Sequence, residues 1–436
     1  MASTAHRIAT LVEQVLGGPL PIRIRAWDGS EYGPPATPTL VIRNRRALRR
    51  MLWRPGELGL ARAWTACDID LQGDLYEGLT LLAGSVSHDG TGHRRPRLAA
   101  AARSVGDRRI RSAAIELARL SGVGLPPPAP PEEFRRHRWG PHTLRRDRTA
   151  VRHHYDVGNR FYELVLGPSM VYSCACWHRP NETLEQAQWA KVDLVCRKLA
   201  LRPGRRLLDV GCGWGSMALH AAREYGVSAV GITLSGEQAA YARQRVAEAG
   251  LTNRVEIRVQ DYREISDGPF DAISSIGMAE HVGRTRYADY ATNLHRLLRT
   301  GGRLLNHQIA RRASPGEDAH RSDIFIDRYV FPHGELAPIG RTVTQLEEAG
   351  FEVRDVESLR EHYALTLRNW VSNLESNWDE AVRHTSPGVT RVWRLYMAAS
   401  ALAFERNYIG VNQILAVRTP ASGLSGMPLC YRKEWA

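Results

Sequence analysis

Lysine is nearly absent from this chain of 436 residues. Of its 59 basic side chains only Lys191, Lys198 and Lys433 are lysine, and the rest are arginine. Cysteine is scarce and scattered, at positions 67, 174, 176, 196, 212 and 430. No C-x-x-C pair occurs, which speaks against a zinc site or a disulfide framework, and nothing near Cys174-Ala-Cys176 completes a set of metal ligands. No apolar run approaches the roughly 18 residues of a bilayer-spanning helix. Met1 to Arg7 lacks the basic start and apolar core of a secretory signal. These absences predict a cytoplasmic protein without a membrane span, a structural metal or disulfides.

What is present begins with Arg206-Leu-Leu-Asp-Val-Gly-Cys-Gly-Trp-Gly215. An apolar run, Leu207 to Val210, leads into glycines at alternate positions, and a helical pattern follows from Met217 to Tyr225. A strand, a tight turn and a helix in that order put a ligand beyond the strand's carboxyl end. Glycine there allows close backbone approach and angles that a Cβ would forbid. The G-x-G-x-G spacing, rather than G-x-G-x-x-G, points to S-adenosylmethionine in preference to NAD. Further strands are expected at Ser228 to Ile232, Val255 to Val259, Phe270 to Ser275 and Arg303 to His307, with a late strand at Gln413 to Arg418. Alternation of such strands with helices predicts an α/β fold, a mostly parallel seven-stranded Rossmann-like sheet of the class I methyltransferase kind. At the end of the second strand, Thr233, Ser235 and Gln238 offer polar groups for a ribose. Gln260 or Asp261 is placed to reach the adenine amino group, with Tyr262 stacking nearby.

The net charge of +13 is clustered. Arg43 to Arg50 holds five arginines. A second stretch contains Arg94, Arg95, Arg97, Arg103, Arg108, Arg109 and Arg111, and a third Arg135, Arg136, Arg138, Arg145, Arg146 and Arg148. Such runs suit an anionic membrane or nucleic acid, or form a plain solvated surface. The Pro-rich stretch from Gly122 to Pro131 reads as a semi-rigid spacer. Three regions follow: an N-terminal lipid- or membrane-associated domain over 1–121, a Pro-rich and basic linker over 122–148, and a catalytic domain over 149–436. Within the last, the segment from Phe325 to Pro338 looks inserted, and the Trp-rich stretch from Leu365 to Asn407 reads as a helical cover over the sheet.

Several motifs together resemble the cyclopropane-fatty-acyl-phospholipid synthase family, which includes the mycolic acid cyclopropane synthases. They are His154-Tyr-Asp-Val-Gly-Asn159, Tyr172-Ser-Cys174, Leu208-Asp-Val-Gly-Cys-Gly-Trp-Gly215, Gly231-Ile-Thr-Leu-Ser235, Glu280-His-Val-Gly283, Phe331-Pro-His-Gly334 and His362-Tyr-Ala-Leu-Thr-Leu367. Leu58-Gly-Leu-Ala-Arg-Ala-Trp64 and Cys67-Asp-Ile-Asp70 resemble the extra N-terminal domain of the longer, phospholipid-acting members. The resemblance implies attack by a cis double bond of an acyl chain on the methyl of S-adenosylmethionine, a carbocation, and loss of a proton to a bound bicarbonate. The positions matching the family's bicarbonate cage are Cys174, Glu280, His307, Ile309 and Tyr363. The matching cofactor positions are Tyr172, Ser173, Gly211, Gly213, Thr233, Leu234, Ser235, Gln238, Gln260 and Tyr262. The implied partners are an unsaturated acyl phospholipid and an anionic membrane surface at the inner face of the membrane, with a homodimer as an option and no nucleic acid.

These residue types suit the chemistry. An alkene is a weak nucleophile and needs exact placement. The cation needs shielding from water and gains from aromatic faces. If bicarbonate lies between Glu280 and His307, one of them supplies a proton, through a raised Glu280 pKa or a charged His307. Taken singly, Glu280 could cap a helix, His307 and Tyr363 could be core residues, and Cys174 could be an inert buried thiol or, less favoured, a thiolate nucleophile. Two departures from the family pattern flank the cage: Ala279 stands where a bulky Phe is common, and Asn306 and Gln308 flank His307. They leave open a methylene-branched product in place of a ring. An RNA methyltransferase would carry an Asn-Pro-Pro-Tyr-like motif after the fourth strand, where Gly277-Met-Ala-Glu280 stands instead. A non-catalytic basic module is opposed by the intact glycines and cage residues.

Overall fold

The computed structural model describes residues 2–16, 18–35, 37–84, 108–122, 124–134, 157–313, 323–332 and 334–435. The chain forms two compact units. One comprises Met1–Arg136, Ser314–Pro332 and Thr385–Leu402, and the other His137–Ala313, His333–His384 and Ala403–Ala436. This division departs from the sequential one expected. The stretch expected as a single cover, Leu365 to Asn407, is shared between the units, and the segment around Phe325 groups with the N-terminal residues. Among the described residues no helix is long and apolar enough to cross a membrane.

The first unit is built on a four-stranded sheet of β1 (Arg23–Arg25), β2 (Glu31–Tyr32), β3 (Thr39–Ile42) and β4 (Ile69–Gln72), in the order β2-β1-β3-β4. Only β1 and β3 run parallel. Ile22, Ile24 and Ile42 are fully buried in its core. The late helical segment is pinned to this sheet by Arg391. Its guanidinium lies 4.2 Å over the Trp64 ring, donates to the Trp64 carbonyl (3.0 Å) and pairs with Asp70 (3.0 Å). In return the Trp64 indole donates to the Arg391 carbonyl at 2.9 Å.

Of the arginine run Arg43 to Arg50, expected as a basic surface for an anionic partner, Arg43, Arg45 and Arg46 are exposed and only Arg50 is buried, but most of the run has partners within the unit. Arg43 pairs with Asp70 at 2.6 Å, and Arg46 and Arg50 pair with the wholly buried Asp68 at 3.0 and 2.8 Å. Arg49 donates to the Ser121 carbonyl at 3.1 Å. Arg46 and Arg50 stand one turn apart on the Arg45–Trp53 helix, so both reach the same carboxylate. Arg94, Arg95, Arg97 and Arg103, and the six arginines from Arg135 to Arg148, lie outside the described residues, as do the side chains of Arg108, Arg109 and Arg111.

The second unit carries the seven-stranded sheet: β5 (Arg206–Val210), β6 (Ser228–Thr233), β7 (Val255–Val259), β8 (Phe270–Ile276), β9 (Leu298–Arg311), β10 (Glu352–Ser358) and β11 (Ile409–Val417). The order is β10-β11-β9-β8-β5-β6-β7. Strands β5 to β9 are parallel, and β11 runs antiparallel between β9 and β10. The expected strands are present with small shifts, except that β9 runs over 14 residues. Its extra length on the far side of His307 pairs Ile309 to Arg311 with Val411 to Ile409. An apolar cluster lies on each face. One packs Leu207, Ala272 and Leu305 against Val192, Val195 and Met217 of the helices, and the other packs Leu208, Ile273 and Leu304 against Tyr287, Tyr290 and Leu294.

Removing the Asp68 carboxylate strands the buried Arg50 guanidinium. Breaking a buried pair in this way costs roughly 3–5 kcal/mol. Asp68→Ala is therefore expected to lower the stability of the first unit by that amount in urea unfolding. A loss under about 1 kcal/mol, the range of an exposed pair, would show that the pair is not the anchor described.

Candidate active site

The carboxyl end of β5 opens into a turn in which Gly211, Gly213 and Gly215 all have positive φ, at 79°, 53° and 81°. Cβ atoms at these angles are strained, so the glycines are a backbone requirement. The Gly211 and Cys212 amides both donate to the Ile232 carbonyl, at 3.0 and 2.9 Å, which ties the turn to β6. A Cβ built on Gly213 meets nothing within 4 Å, whereas one on Gly215 would lie 3.1 Å from the Ala242 methyl. Gly215 is thus fixed by packing, and Gly213 faces open space, as a ligand cradle requires. The residues of the turn fit a nucleoside cofactor lying across the strand end.

The neighbouring strand ends are placed as follows. Thr233, Ser235 and Gln238 are buried together, and they satisfy one another. Thr233 Oγ1 donates to Gln238 Oε1 (2.8 Å), and Ser235 caps the Gly236–Glu248 helix by accepting from the Gln238 amide (3.2 Å). Leu234, between them, is half-buried. Of the two groups expected near the adenine, Asp261 is held by Arg263 at 2.8 Å, and the Gln260 amide donates to the Glu264 carbonyl at 3.0 Å. Tyr262 is buried edge-on to Tyr290, with ring centroids 5.1 Å apart.

The five cage positions come from four stretches of the second unit, and two backbone groups link them in pairs. The Ile309 amide, on β9 two residues beyond His307, donates to Glu280 Oε1 at 2.7 Å. The Leu359 carbonyl accepts from the Tyr363 amide (3.1 Å) and lies 3.5 Å from the Cys174 sulfur. The Glu280 Oε2 atom and both ring nitrogens of His307 are buried without a hydrogen-bond partner. Buried polar atoms left this way are costly, and here they fit a small oxyanion that carries both a donor and acceptors. Burial raises the Glu280 pKa to about 7. Burial, together with Lys191 and Lys198, holds His307 well below its ordinary value, as a neutral imidazole. Of these two groups Glu280 is the one whose charge changes near neutrality, while the neutral His307 ring keeps one N–H to donate. Burial also pushes the Cys174 thiol well above its usual range, which removes the thiolate nucleophile.

Asn306 and Gln308 lie on the other face of β9. Gln308 accepts from the Asn306 amide (2.8 Å) and donates to Thr342 (2.8 Å), and Tyr287 reaches it at 3.3 Å. Ala279 packs in the apolar cluster of that same face. These departures from the family pattern therefore do not line the His307 face.

The sequence reading missed a row of aromatic rings, buried except for the half-buried Tyr172. Trp214, in the glycine turn, lies 4.6 Å from Tyr162, and Tyr162 lies 5.6 Å from Tyr172. Tyr172 lies 5.3 Å from Trp370, Trp370 5.9 Å from Tyr363, and Tyr363 4.7 Å from Phe404. The row runs from the cofactor turn to the cage. Its one sequence signal was the spacing of Tyr363 and Trp370, two helical turns apart and hence on one face.

The chain matches the family model described as "Mycolic acid cyclopropane synthetase" over residues 142–414. It is 43% identical over 426 residues to the probable fatty acid methyltransferase Rv3720 of Mycobacterium tuberculosis, covering 94% of each chain. It is 38% identical over 271 residues to the cyclopropane-fatty-acyl-phospholipid synthase of Escherichia coli K12, covering 62% of this chain and 68% of the relative. The crystal structure of mycolic acid cyclopropane synthase CmaA1 complexed with SAH and CTAB superimposes with a TM-score of 0.58 at 36% identity, over 62% of this chain and 98% of that one.

A raised carboxyl pKa means that the native state binds the proton more tightly than the unfolded chain. Stability from Glu280 is then present at low pH and is lost as pH climbs from about 4.5 to about 7. Glu280→Gln is isosteric and does not ionise. Its melting temperature is expected to gain on wild type across that window and to hold the gain above it. A difference that does not change with pH would contradict the buried, titrating carboxyl.

Proposed function

Because the chain belongs to the mycolic acid cyclopropane synthetase family, S-adenosylmethionine-dependent methyltransferases of unsaturated lipid, we propose that it methylates the cis double bond of an unsaturated acyl chain in a membrane phospholipid and closes a cyclopropane ring. S-adenosylmethionine supplies the methyl on a sulfonium, and bicarbonate supplies the base. The alkene π electrons form the new carbon–carbon bond as the sulfur–methyl bond breaks, leaving S-adenosylhomocysteine and a carbocation on the chain. A proton is then lost from the transferred methyl, and its bonding electrons close the ring.

The single observation that carries this reading is the unpartnered polar set of Glu280 Oε2 and the two His307 nitrogens, buried within reach of the Ile309 amide. The neutral His307 ring donates one N–H to the anion. Glu280, ionised at the upper side of its pKa of about 7, accepts the anion's own proton through Oε2. Tyr172, Trp370 and Tyr363 present ring faces that stabilise the cation and keep water from trapping it. Ring closure is favoured over a methylene branch because Ala279, Asn306 and Gln308, the positions that suggested a displaced base, point away from His307. The phospholipid is met at the inner face of the membrane, an anionic surface to which the arginine-rich connector is suited.

The test uses trideuteromethyl S-adenosylmethionine with vesicles of a cis-monounsaturated phosphatidylglycerol. The expected lipid carries a ring with two deuterium atoms, identified by mass together with ring-proton NMR. Exocyclic olefinic signals in the product would establish the branched outcome, and no labelled lipid would contradict the proposal altogether. In Glu280→Gln, turnover is expected to fall by about 100-fold or more, with affinity for S-adenosylhomocysteine little changed.

A further inference from the structure

Two of the chain's three lysines, Lys191 and Lys198, stand two turns apart on one face of the Leu184–Lys198 helix, and both are almost fully buried. A buried ammonium is normally paired. Lys198 is: its Nζ contacts the Glu357 carboxylate and donates to Gln413 Oε1 at 2.8 Å. Lys191 is not. Its Nζ donates to Ser173 Oγ at 2.9 Å, and among the described residues no carboxylate lies within ion-pair distance of it. An ammonium has three N–H donors, so one is used and the charge is left without an ion-pair partner among the described residues.

The surroundings of that charge are those of the site. Lys191 acts electrostatically on Cys174 and on His307, two of the five cage positions. Its one hydrogen-bond acceptor, Ser173, is the residue beside Cys174 in the Tyr172-Ser-Cys174 motif. Asp209 on β5 acts on Lys191 electrostatically from beyond ion-pair distance, with one carboxyl oxygen held by the Ser274 hydroxyl at 2.7 Å and the other without a hydrogen-bond partner. In a chain where nearly every other cation is arginine, a compact ammonium is used where a wide guanidinium fork would not fit beside buried thiols.

We propose that Lys191 is the countercharge of the small oxyanion held by Cys174, Glu280, His307, Ile309 and Tyr363, a role that rests on the bicarbonate reading given above. The anion then completes a buried ion pair. Without it, an unpaired ammonium sits in the core. With it, the negative charge is held against the repulsion of Glu280, which the neutral His307 cannot offset. Lys191 contributes to holding the base and not to the cofactor's carboxylate.

The full chain is assayed for methyl transfer to cis-monounsaturated phosphatidylglycerol vesicles in buffer freed of carbon dioxide, with bicarbonate added back. Affinity for S-adenosylhomocysteine is measured in parallel by calorimetry. Lys191→Met is expected to melt no lower than wild type, because it removes a buried charge of similar length. It is expected to raise the half-activating bicarbonate concentration by about tenfold or more, with S-adenosylhomocysteine affinity changed by less than about threefold. Lys191→Gln serves the same comparison if the methionine variant does not fold. An unchanged half-activating concentration in either folded variant would overturn the inference. A loss confined to S-adenosylhomocysteine affinity would overturn it in favour of the cofactor's carboxylate as the partner. Wild-type protein that ignores bicarbonate would instead remove the oxyanion reading itself, and the inference with it.

Discussion

The hydrogen bond from the Ile309 amide to Glu280 Oε1 joins the short Ala279–Val282 helix to the strand that carries His307. That helix follows β8, and β9 is its parallel neighbour in the sheet. The pairing of Ile276 with His307 thus brings the helix that follows β8 up to the strand that carries the imidazole. The bond uses one carboxyl oxygen and leaves the other, with the two ring nitrogens, buried and unsatisfied. Folding tolerates few such groups, and three of them on Glu280 and His307 are what the proposed site rests on.

The rest of the second unit serves that arrangement. β9 separates two environments. Asn306 donates to Gln308, and Gln308 donates to Thr342, on one face, while His307 lies with Lys191 and Lys198 on the other. The polar layer behind the strand helps to keep its register, because a slip of one residue would exchange the two faces. The aromatic row from Trp214 to Phe404 connects the glycine turn to Tyr363, so the cofactor end and the base end share one wall of rings. The same low-dielectric interior that raises the Glu280 pKa to about 7 also shields a carbocation from water.

Much of this was legible in the sequence because local signals agreed with the global fold. The apolar run before Gly211 gave β5, and the positive φ angles of Gly211, Gly213 and Gly215 are what the alternate glycines foretold. The parallel strands were legible from apolar runs separated by helical patterns. The length of β9 was not, since Asn306 and Gln308 break its apolar pattern and are accommodated by partners distant in sequence, Tyr287 and Thr342. The pairing of Arg43 with Asp70 and of Arg50 with Asp68 was not legible, because those carboxylates lie at and just before β4, further along the chain. The division of the helical cover between two units depends on Trp64 and Arg391, residues far apart in the chain. Lys191 was visible only as a rarity. Its burial beside Ser173 is a tertiary fact with no periodic signal.

The central claim is that the unsatisfied groups around His307 hold a bicarbonate ion. Carbon-13 NMR of the protein saturated with S-adenosylhomocysteine and given labelled bicarbonate tests it without reference to turnover. A bound resonance distinct from the free ion, at about one per chain and missing from a folded His307→Ala protein, is the predicted result. A spectrum of wild-type protein that contains the free ion alone would contradict the account.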